Sequence, residues 1–388
     1  MKGGINMLTN YKYEMYPTKE QSDKLNYWID ICRQQYNSAL LDKQRHYKEH
    51  GKGLSRYSLQ KIQTSDKKKH SFLKEIPSQP LQEVFFRLEK SFDKFFRKEA
   101  RYPKLKKYRE YNSITFTQFG VGQIYNKKKG KYSSVRYAAS FSNNGKLLIS
   151  KLGELEVNFH REIPSDGKVK QVILKRQSNR WYAIFCVERQ AEPIIAIKDI
   201  NDSDRIGIDV GIKKFAVLSN GLEYENPKFL RKSKKKLKRV QRKYSKMQKG
   251  SNNKKKQLIK LQKLNEKISN QRRDFHHQLS NKLTSQYKFI AVEDLKVKNM
   301  IRNRKLSKSI SDAGWGQFRR FLEYKCEKKG LIFIKVSPQY TTINCSGCGT
   351  PVKKSLSVRT HICPHCGLIL DRDHNAAINI LSKALSLV

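Results

Sequence analysis

Acidic residues and long hydrophobic runs are what this 388-residue sequence has least of. It contains 34 Asp and Glu against 82 Lys and Arg. No stretch approaches the roughly 20 consecutive apolar residues that a membrane-spanning helix needs, and the N-terminal segment lacks the apolar centre of a secretory signal peptide. We therefore expect a cytoplasmic protein with no membrane role. Its 20 glycines and 10 prolines fall far below the roughly 25–30% typical of low-complexity chains, which argues against wholesale disorder.

The imbalance of charge points to a polyanionic partner. The formal net charge is +48, whereas a small domain needs only about 2–8 charges to stay in solution. A chain this basic repels itself unless it binds a polyanion, whose condensed counterions are then released. Aromatic residues interleaved with Lys and Arg, as in residues 102–111 (YPKLKKYREY), are compatible with base stacking, although most aromatics should lie in the core. Nucleic acid is therefore the first partner hypothesis, and a site for neutral small molecules is disfavoured.

Three regions follow one another along the chain. Tyr11–Tyr16 has the composition of a strand, and Thr18–Gln21 fits a capping box that starts a helix. Helical spacing of apolar residues continues, with a second strong helix from Pro80 to about Ala100. Short alternating segments over residues 112–195 predict a small antiparallel barrel or sandwich that the first strand completes. An acidic linker at residues 197–204 leads into a third unit.

The third unit contains a strongly basic segment. Residues 231–260 include 15 Lys and Arg and no acid. Apolar stripes on either side of a GSNN turn predict a long antiparallel helical hairpin over residues 231–285. A solvated charged helix is the ordinary interpretation of such a run. The absence of any compensating acid instead favours contact with nucleic-acid phosphates.

Three carboxylates of the third unit are candidates for catalysis. Asp209 lies in an apolar strand between Gly207 and Gly211, and we expect these small neighbours to leave room for a ligand beside the acid. Glu293 ends the apolar run FIAVE, and Asp373 begins a helix. Each has an ordinary alternative, as a turn acid, a surface acid at a strand end and a helix cap respectively. Their order on strand, strand and helix is what favours a shared site, and we place the nearby Asp294 and Asp371 in supporting roles.

In a ribonuclease-H fold the first strand, a later parallel strand and the last helix meet at one edge of the sheet. Three acids placed there could not all ionise cheaply beside one another. Two divalent cations about 3.5–4 Å apart would remove the repulsion and align a water with a leaving phosphate oxygen. Magnesium suits such hard oxygen ligands, so we expect a site for Mg²⁺, with two ions, at Asp209, Glu293 and Asp373.

Four of the seven cysteines lie close together in sequence and predict a metal site. Two CxxC knuckles separated by fourteen residues, each followed by glycine, are typical of a tetrahedral zinc ribbon. The expected ligands of one structural Zn²⁺ are Cys345, Cys348, Cys363 and Cys366. Because four thiolates close the coordination shell, we expect this ion to brace the element that carries Asp373 rather than to perform chemistry.

The remaining cysteines and the histidines carry less information. Cys32, Cys186 and Cys326 stand apart in apolar surroundings and are predicted to be buried small hydrophobes. With no secretory segment, a disulfide framework is not expected. Three histidines are predicted to lie at the surface or to face nucleic acid, namely His276, His277 and His361. No histidine is singled out as a general base.

Taken together, these motifs resemble those of TnpB, the RNA-guided nuclease encoded by insertion sequences and considered an ancestor of type V CRISPR effectors. The specific part is the C-terminal half, with the segments GIDVG, VEDL, SISDAGWGQFRRFLEYK, CSGC, CPHC and DRDHNAAINI. Segments of the N-terminal half, such as YPTKEQ and FFRKEARYPKLK, are also similar to the family. The resemblance therefore covers nearly the whole chain.

The resemblance implies a multidomain α+β fold. Its expected parts are a wedge β-barrel domain (residues 1–20 and 112–200), an inserted helical recognition domain (21–111), and a RuvC-type, ribonuclease-H-like α/β nuclease domain (201–388) with an inserted zinc ribbon (340–369). The implied partners are a guide RNA derived from the transposon end and a target double-stranded DNA that carries a short adjacent motif. The implied location is the cytoplasm of a bacterium or archaeon, at the nucleoid.

The resemblance also assigns individual residues. Asp209, Glu293 and Asp373 match the three RuvC acids in order, and the four cysteines match the zinc ligands. Arg359 stands where the family often has an arginine near the scissile phosphate. Since none of the three acids or four thiols is missing, the resemblance favours an active RNA-guided DNA endonuclease over nuclease-inactive relatives that act as repressors.

Other functions remain open at this point. A guide-directed DNA-binding repressor would lack metal-dependent cleavage, and a guide-independent transposase or junction resolvase would work without RNA. An actin-like or sugar-kinase ATPase also has a phosphate strand similar to GIDVG. That fold needs a second glycine-rich phosphate loop, which we do not find in the sequence, and a charge of +48 fits it poorly.

Overall fold

The computed structural model describes residues 6–108, 110–126, 131–355 and 358–388. The chain divides into two units at residue 189, and we call residues 6–189 the N-terminal unit and residues 190–388 the C-terminal unit. The predicted domains also include residues 1–5, 109, 127–130 and 356–357, which lie outside the described residues. The predicted domain boundaries stay a prediction.

The described residues of the N-terminal unit form three helices and nine strands. The helices are α1 (Lys19–His50), α2 (Arg56–Lys69) and α3 (Ser78–Phe96), with a 3-10 turn at Ser71–Lys74. The strands are β1 (Asn6–Tyr16), β2 (Ser113–Phe116), β3 (Val121–Asn126), β4 (Lys131–Arg136), β5 (Ala139–Phe141), β6 (Leu147–Ile149), β7 (Gly153–Asn158), β8 (Lys168–Gln177) and β9 (Arg180–Gln190).

The start of α1 is the predicted capping box. The Thr18 hydroxyl accepts from the Gln21 amide at 3.2 Å, and the Gln21 side chain accepts from the Thr18 amide at 3.0 Å. Two amides that would otherwise lack partners at the helix start are therefore satisfied. The helix ends at Gly51, whose φ of 65° is a left-handed conformation that costs glycine little.

One sheet and the helices of the N-terminal unit share a hydrophobic core. Seven strands pair in the order β2-β8-β9-β1-β7-β6-β5, so β1 joins the sheet of the later strands, as predicted, and it lies between β9 and β7. Strands β3 and β4 pair separately. The β8–β9 hairpin closes through a two-residue loop in which Ser178 has a φ of 56°. Trp28 of α1, Leu88 of α3 and Phe185 of β9 belong to one buried cluster.

The described residues of the C-terminal unit form a five-stranded sheet, a two-stranded sheet of β15 and β16, and six helices. Its strands are β10 (Arg205–Val210), β11 (Lys214–Leu218), β12 (Glu223–Glu225), β13 (Phe289–Glu293), β14 (Ile332–Val336), β15 (Thr360–Ile362) and β16 (Ile369–Asp371). Its helices are α4 (Phe229–Lys246), α5 (Asn252–Gln286), α6 (Val297–Met300), α7 (Ser307–Ala313), α8 (Trp315–Lys328) and α9 (Arg372–Leu385), with 3-10 turns at Ile197–Asp199 and Asp202–Asp204.

The main sheet of this unit is mixed, with strand order β12-β11-β10-β13-β14. Strands β10, β13 and β14 are parallel to one another, and β11 and β12 are antiparallel additions. Alternate residues of β13 point to opposite faces. Ile290 and Val292 pack in a cluster with residues of α5 and α8, whereas Phe289 and Ala291 pack in a cluster with residues of α9. The sheet is therefore covered by helices on both faces.

Helix α9 approaches β10 unusually closely, and Gly207 is the reason. A side-chain Cβ at this position would lie 2.2 Å from the Ala377 carbonyl oxygen of α9. The expectation that the glycines flanking Asp209 leave room for a ligand is therefore wrong for Gly207, because helix backbone fills that space. The close approach sets the depth at which α9 packs against β10.

The predicted bounds of the helix near residues 80–100 need correction. Helix α3 begins at Ser78 and ends at Phe96, shorter than predicted, because the chain reverses at Lys98 with a φ of 58°. Among the described residues, no helix is both long and apolar enough to cross a membrane.

Candidate active site

Asp209 is positioned by the central strand of the mixed sheet. It lies on β10 opposite Val217 of β11. It directly follows Ile208, which pairs with Val292 of the parallel strand β13. Its side chain is buried. Burial raises the pKa of the Asp209 carboxyl well above its ordinary value, and the negative charges of Glu293 and Asp373 raise it further. Glu293 and Asp373 are therefore both close enough to Asp209 to act on its carboxyl.

Glu293 is the last residue of β13 and lies next to Asp209 at the same sheet edge. Thr341 Oγ1, which is buried, donates a hydrogen bond to Glu293 Oε1 at 2.5 Å. Burial raises the pKa of the Glu293 carboxyl, while the Thr341 bond and the positive charge of Lys383 lower it. Thr341 and Lys383 were not singled out by sequence, since neither belongs to a recognisable motif.

Asp373 lies in the first turn of α9. The helix is capped by Asp371, whose side chain accepts from the backbone amides of Asp373 and His374. Asp371 therefore caps the helix, and the carboxylate of Asp373 is not needed as the cap. Asp294 also has a supporting contact, an ion pair with Arg319.

Two arginines form ion pairs with Asp373. Arg359 Nη1 donates to Asp373 Oδ2 at 3.0 Å, and Arg372 Nε and Nη2 donate to Oδ1 at 3.2 and 3.0 Å. Arg372 Nη1 also donates to the Val358 carbonyl. The sequence singled out Arg359 but missed Arg372, which touches the candidate acid directly. The contact of Arg359 with a phosphate stays a prediction.

The donor set of these acids fits hard divalent cations. Carboxylate oxygens are the ligands that Mg²⁺ prefers, and a nearby cation would reverse the effect of the like charges on Asp209. Within the described part of the chain, only the four cysteines place three or more ligand atoms within 4.8 Å of one another. Asp209, Glu293 and Asp373 do not form such a group.

The four C-terminal cysteines form the tighter cluster. Their sulfur atoms lie within 4.8 Å of one another, with Cys345 Sγ 3.6 Å from Cys366 Sγ and Cys348 Sγ 3.6 Å from Cys363 Sγ. Four sulfurs at about 2.3 Å from a tetrahedral ion would be separated by about 3.8 Å. The geometry therefore fits a metal ion such as zinc.

Each knuckle of the cluster has the same backbone turn. Gly349 donates to the Cys345 carbonyl at 2.9 Å, and Gly367 donates to the Cys363 carbonyl at 3.0 Å. Both glycines have φ near 75°, which explains why glycine follows each CxxC motif. Hydrogen bonds from Thr350 lower the pKa of the Cys348 thiol to about 5, so this ligand favours its thiolate form, the form that binds metal.

The cysteine cluster is attached to α9 through two asparagines. Asn375 Oδ1 accepts from the Ser346 amide at 2.9 Å, and Asn375 Nδ2 donates to the Asn344 carbonyl at 2.9 Å. Asn379 Nδ2 donates to the carbonyls of Thr341 and Asn344 at 2.8 Å each. Because Thr341 also bonds Glu293, the same short segment connects the first knuckle, α9 and one of the candidate acids.

Two of the three histidine expectations are wrong. His276 and His361 are 1% and 0% exposed respectively, so neither faces solvent. Burial lowers the pKa of His276 to about 4, and its Nε2 pairs with the Ala313 carbonyl at 2.9 Å. His277 is half-buried and stacks on Phe321 with ring centroids 4.0 Å apart. The three scattered cysteines are buried, as predicted.

The predicted basic hairpin is formed by α4 and α5. The stripe of Leu237, Val240 and Tyr244 on α4 is half-buried, and every Lys and Arg of α4 is exposed. Asp312 of α7 joins the hairpin to the rest of the unit. Its carboxylate accepts from the Leu230 amide at 3.0 Å and from Arg272 Nη2 at 2.9 Å.

Protein-family models match three parts of the chain. Residues 184–304 match a family described as "Probable transposase", residues 315–380 match "Cas12f1-like, TNB domain", and residues 7–52 match "Helix-turn-helix domain". In this structure the last range contains strand β1 and helix α1.

Similar proteins extend over almost the whole chain. A protein of Streptomyces pristinaespiralis named as an RNA-guided DNA endonuclease is 32% identical over 383 residues, covering 97% of this chain and 89% of its own length. A second, InsQ of Escherichia coli (strain K12), has the same activity in its name and is 29% identical over 396 residues, covering 97% and 92%. The protein of a solved Cas12f1–sgRNA–target DNA complex has a TM-score of 0.57 at 13% identity and covers 97% of this chain and 98% of its own. That last likeness concerns the fold alone.

Proposed function

Because this chain belongs to the TnpB-like family of insertion-sequence proteins, we propose that it is an RNA-guided DNA endonuclease. In this proposal it binds a guide RNA derived from the transposon end and recognises a short motif beside the target. It then hydrolyses the guide-matched double-stranded DNA with divalent metal ions. Two relatives that align with nearly the whole chain are named for such an activity.

The observation that supports the proposal most is the convergence of three acids from distant parts of the sequence. Asp209 comes from β10, Glu293 from the neighbouring parallel strand β13, and Asp373 from the last helix, α9. Strand order β12-β11-β10-β13-β14 is the order expected of a ribonuclease-H-like sheet. We assign the C-terminal unit on this basis as the RuvC-type nuclease domain.

Asp209, Glu293 and Asp373 would hold the catalytic Mg²⁺ ions. When bound, such ions supply a nucleophilic water at neutral pH and stabilise the charge on the leaving oxygen. The protein contributes orientation. Thr341 fixes Glu293 Oε1, and the helix cap of Asp371 fixes the backbone of Asp373.

Arg359 and Arg372 balance charge beside Asp373. Arg359 is 39% exposed, and we propose that it contacts the scissile phosphate when DNA is bound. Its guanidinium can form paired hydrogen bonds with phosphate oxygens as well as with a carboxylate.

The cysteine cluster would hold one structural Zn²⁺. Its four thiolates leave no open coordination position for a substrate, and Asn375 and Asn379 link it to α9. We propose that this ion keeps the start of α9, and with it Asp373, in place. The sulfur geometry and the knuckle turns support the assignment.

Sequence specificity would come from pairing between the guide RNA and one DNA strand. A protein that delegates recognition in this way needs basic surface shaped for an A-form duplex rather than side chains that read bases. The charge of +48 and the exposed Lys and Arg of α4 support this division of labour. We propose that residues 6–20 and 112–200 form the wedge domain and residues 21–111 the recognition domain, and that both read the target-adjacent motif.

The decisive experiment identifies the guide and then tests cleavage. RNA that co-purifies with the protein is sequenced, and a plasmid library carrying the matching target with randomised flanks is incubated with the complex and Mg²⁺. We expect linearised plasmids that share one flanking motif. Asp209→Ala should abolish cutting while leaving RNA and target binding intact. Asp202→Ala, at an acid whose side chain is 94% exposed, is the matched control and should cut normally.

Two results would contradict the proposal. Normal cutting by Asp209→Ala would show that the metal site is assigned wrongly, and binding of matched target without cutting by the wild type would indicate a guide-directed repressor. The family description "Probable transposase" favours a guide-independent transposase or resolvase as the second candidate. Such an enzyme should keep its activity after the RNA is removed, whereas an RNA-guided endonuclease should lose it.

A further inference from the structure

Four aromatic side chains form a cluster at the end of α3, which we call the aromatic platform: Phe92, Phe95, Phe96 and Tyr102. The Tyr102 ring meets Phe92 and Phe95 edge-on, with centroids 5.5 and 5.2 Å apart. Phe96 lies 5.3 Å from Phe95 and stacks on Phe92 at 6.2 Å. These contacts make one continuous aromatic surface from residues that the proposed catalytic machinery does not use.

The outer part of the platform is open to solvent. Phe96 is 72% exposed and Tyr102 is 41% exposed. Exposed apolar groups that adjoin one another, unlike single ones, mark interaction sites on protein surfaces. The chain that follows continues the pattern, since Leu105 and Tyr108 are 49% and 65% exposed.

The platform is held in place by its surroundings. The chain reverses at Lys98, whose φ of 58° places Tyr102 back against α3. Asn37 of α1 then fixes the returning segment, because its side chain accepts from the Lys106 amide at 2.7 Å and donates to the Lys106 carbonyl at 3.0 Å. Lys43 Nζ lies 5.2 Å from the centre of the Phe92 ring. An exposed aromatic surface that is already ordered loses little entropy when a flat partner stacks on it.

The same segment is strongly basic. Residues 94–107 carry one acid, Glu99, against seven cations: Lys94, Arg97, Lys98, Arg101, Lys104, Lys106 and Lys107. All of these cations except Lys106 are exposed. Aromatic rings with cations on both sides are complementary to a nucleotide strand, in which bases alternate with phosphates. The concentration of one charge disfavours an ordinary apolar protein partner.

We propose that the aromatic platform binds an unpaired stretch of nucleic acid, with a base stacked on Phe96 and Tyr102 and the neighbouring phosphates contacted by the basic residues around them. Bases inside a duplex hide their faces against one another, so the partner is a single strand. The inference rests on the proposed function only in requiring that a nucleic acid is bound. The strand is RNA or displaced DNA, since both present the exposed face of an unpaired base.

The test measures fluorescence anisotropy of labelled probes with the full-length protein. The probes are oligodeoxythymidine and oligouridine of about 12 nucleotides, and an abasic deoxyribose-phosphate strand of equal length. Salt of about 0.4 M suppresses the phosphate contribution and leaves stacking visible. We expect Phe96→Ala to weaken binding of the base-containing probes by at least about fivefold and to leave the abasic probe unchanged. The larger loss on one base-containing probe identifies DNA or RNA as the preferred strand.

Three further variants make the result specific. Phe96→Trp should bind at least as well as the wild type, and Phe96→Leu, which keeps an apolar side chain without a π-face, should behave like Phe96→Ala. Tyr57→Ala removes another exposed aromatic, one whose ring lies 4.8 Å from the Arg56 guanidinium, and should have no effect. Because Phe96 is mostly exposed, the melting temperature should not change in its variants.

The inference is overturned if Phe96→Ala binds oligodeoxythymidine and oligouridine normally, or if it loses the abasic probe equally. It is also overturned if Phe96→Leu binds like the wild type, since the surface would then be merely apolar and suited to a protein. Guided cleavage is measured in parallel. If Phe96→Ala binds the base-containing probes normally and the wild type cleaves its target, only this inference fails. If binding depends on Phe96 and on bases but the wild type does not cleave, only the proposed activity fails.

Discussion

Asp209 is a carboxyl group buried beside two other acids, and its ionisation opposes folding when no cation is present. Burial and the charges of Glu293 and Asp373 raise its pKa. The folded metal-free protein therefore binds this proton more tightly than the unfolded chain does. The corresponding stability is complete at low pH and is lost as the pH rises through the raised folded pKa.

We expect Asp209→Asn to stabilise the metal-free protein near neutral pH. The amide keeps the shape of the side chain but cannot ionise. The melting temperature of the variant at pH 7 should therefore exceed that of the wild type by at least about 2 °C. Below about pH 3, where the Asp209 carboxyl is protonated in both states, the difference should vanish. Added Mg²⁺ should stabilise the wild type more than the variant.

Differential scanning calorimetry across this pH range, with and without Mg²⁺, checks the expectation. Asp202→Asn is the control, because this exposed acid should show neither the pH dependence nor the change in response to Mg²⁺. A variant that is less stable than the wild type at pH 7 without metal would contradict the account of Asp209.

Thr341 offers a second test among single residues, because its only expected effect on chemistry is through Glu293. Thr341→Val removes the hydroxyl that bonds Glu293 Oε1 and keeps the volume. We expect it to raise the Mg²⁺ concentration needed for half-maximal cleavage by about tenfold, the usual effect of losing a group that orients a metal ligand. Thr341→Ser should restore the wild-type requirement. An unchanged Mg²⁺ requirement in the valine variant would show that Glu293 does not depend on Thr341.

Single residues differ in how far sequence can identify them. The three acids and four thiols stand in short motifs whose order along the chain indicated which residues belong together. Thr341 could not be found in that way, because its contact with Glu293 is decided by how the loop before the first knuckle packs. Arg372 adjoins Asp373 in the sequence, but adjacency alone does not show that its guanidinium turns toward that carboxylate. The burial of His276 and His361 was missed for a related reason. Periodicity does not reveal which polar side chains find a hydrogen-bond partner inside the core.

Helix α4 depends on an element that is far away in sequence. Its N-cap residue, Lys228, has a left-handed conformation and provides no side-chain cap. Asp312 of α7 takes over this role by accepting from the Leu230 and Arg231 amides, and it also pairs with Arg272 of α5. The basic hairpin is thus held at its base by one carboxylate, whose side chain is 8% exposed.

We expect Asp312→Ala to lower the free energy of unfolding by about 2 kcal/mol, since it removes a helix cap and leaves Arg272 without its partner. Amide hydrogen exchange at Leu230 and Arg231 should become faster. Urea unfolding and exchange mass spectrometry measure the two effects. Asp274→Ala, at an exposed acid of α5, should change the free energy by less than about 0.5 kcal/mol. Unchanged exchange at the start of α4 would contradict this role.

The cysteine cluster makes a prediction about α9. We expect the purified protein to contain one zinc per chain by elemental mass spectrometry. Cys363→Ser should lose that zinc and lower Mg²⁺-dependent cleavage at least about tenfold, because the knuckles are bonded to Asn375 and Asn379 of α9. Cys186→Ser changes a buried thiol of β9 and should keep both. Full zinc content in Cys363→Ser would refute the ligand assignment.

Sequence identified whole elements most reliably where a local chemical signal marks their ends. The capping box at Thr18 and the GSNN turn between α4 and α5 are such signals, and both were predicted correctly. The end of α3 was placed too late because Lys98 gives no hint of a left-handed conformation, which glycine ordinarily adopts. The depth at which α9 packs against β10 follows from Gly207. Sequence alone could not predict this packing, because it does not show which helix lies across the strand.

The charge of the whole molecule is its dominant long-range property. A net charge of +48 favours association with nucleic acid, and it also makes the bare protein repel itself. Nucleic-acid binding by such a chain should weaken steeply with salt, since each phosphate contact on duplex DNA contributes about 0.9 to the slope of log K against log salt concentration. The basic hairpin is a large, definable part of that charge.

Replacing Lys235, Lys236, Lys243 and Lys246 of α4 with glutamine tests this contribution. All four are exposed, so the fold should be unaffected. The slope should become shallower by up to about 0.9 for each lysine that contacts duplex phosphate. The matched control replaces the same four with arginine, which keeps the charge and should keep the slope. Filter binding of a matched duplex over a range of salt concentrations gives both slopes. If the glutamine variant kept the wild-type slope, α4 would be a solvated helix, and the phosphate contacts would have to lie on other basic surfaces of the chain.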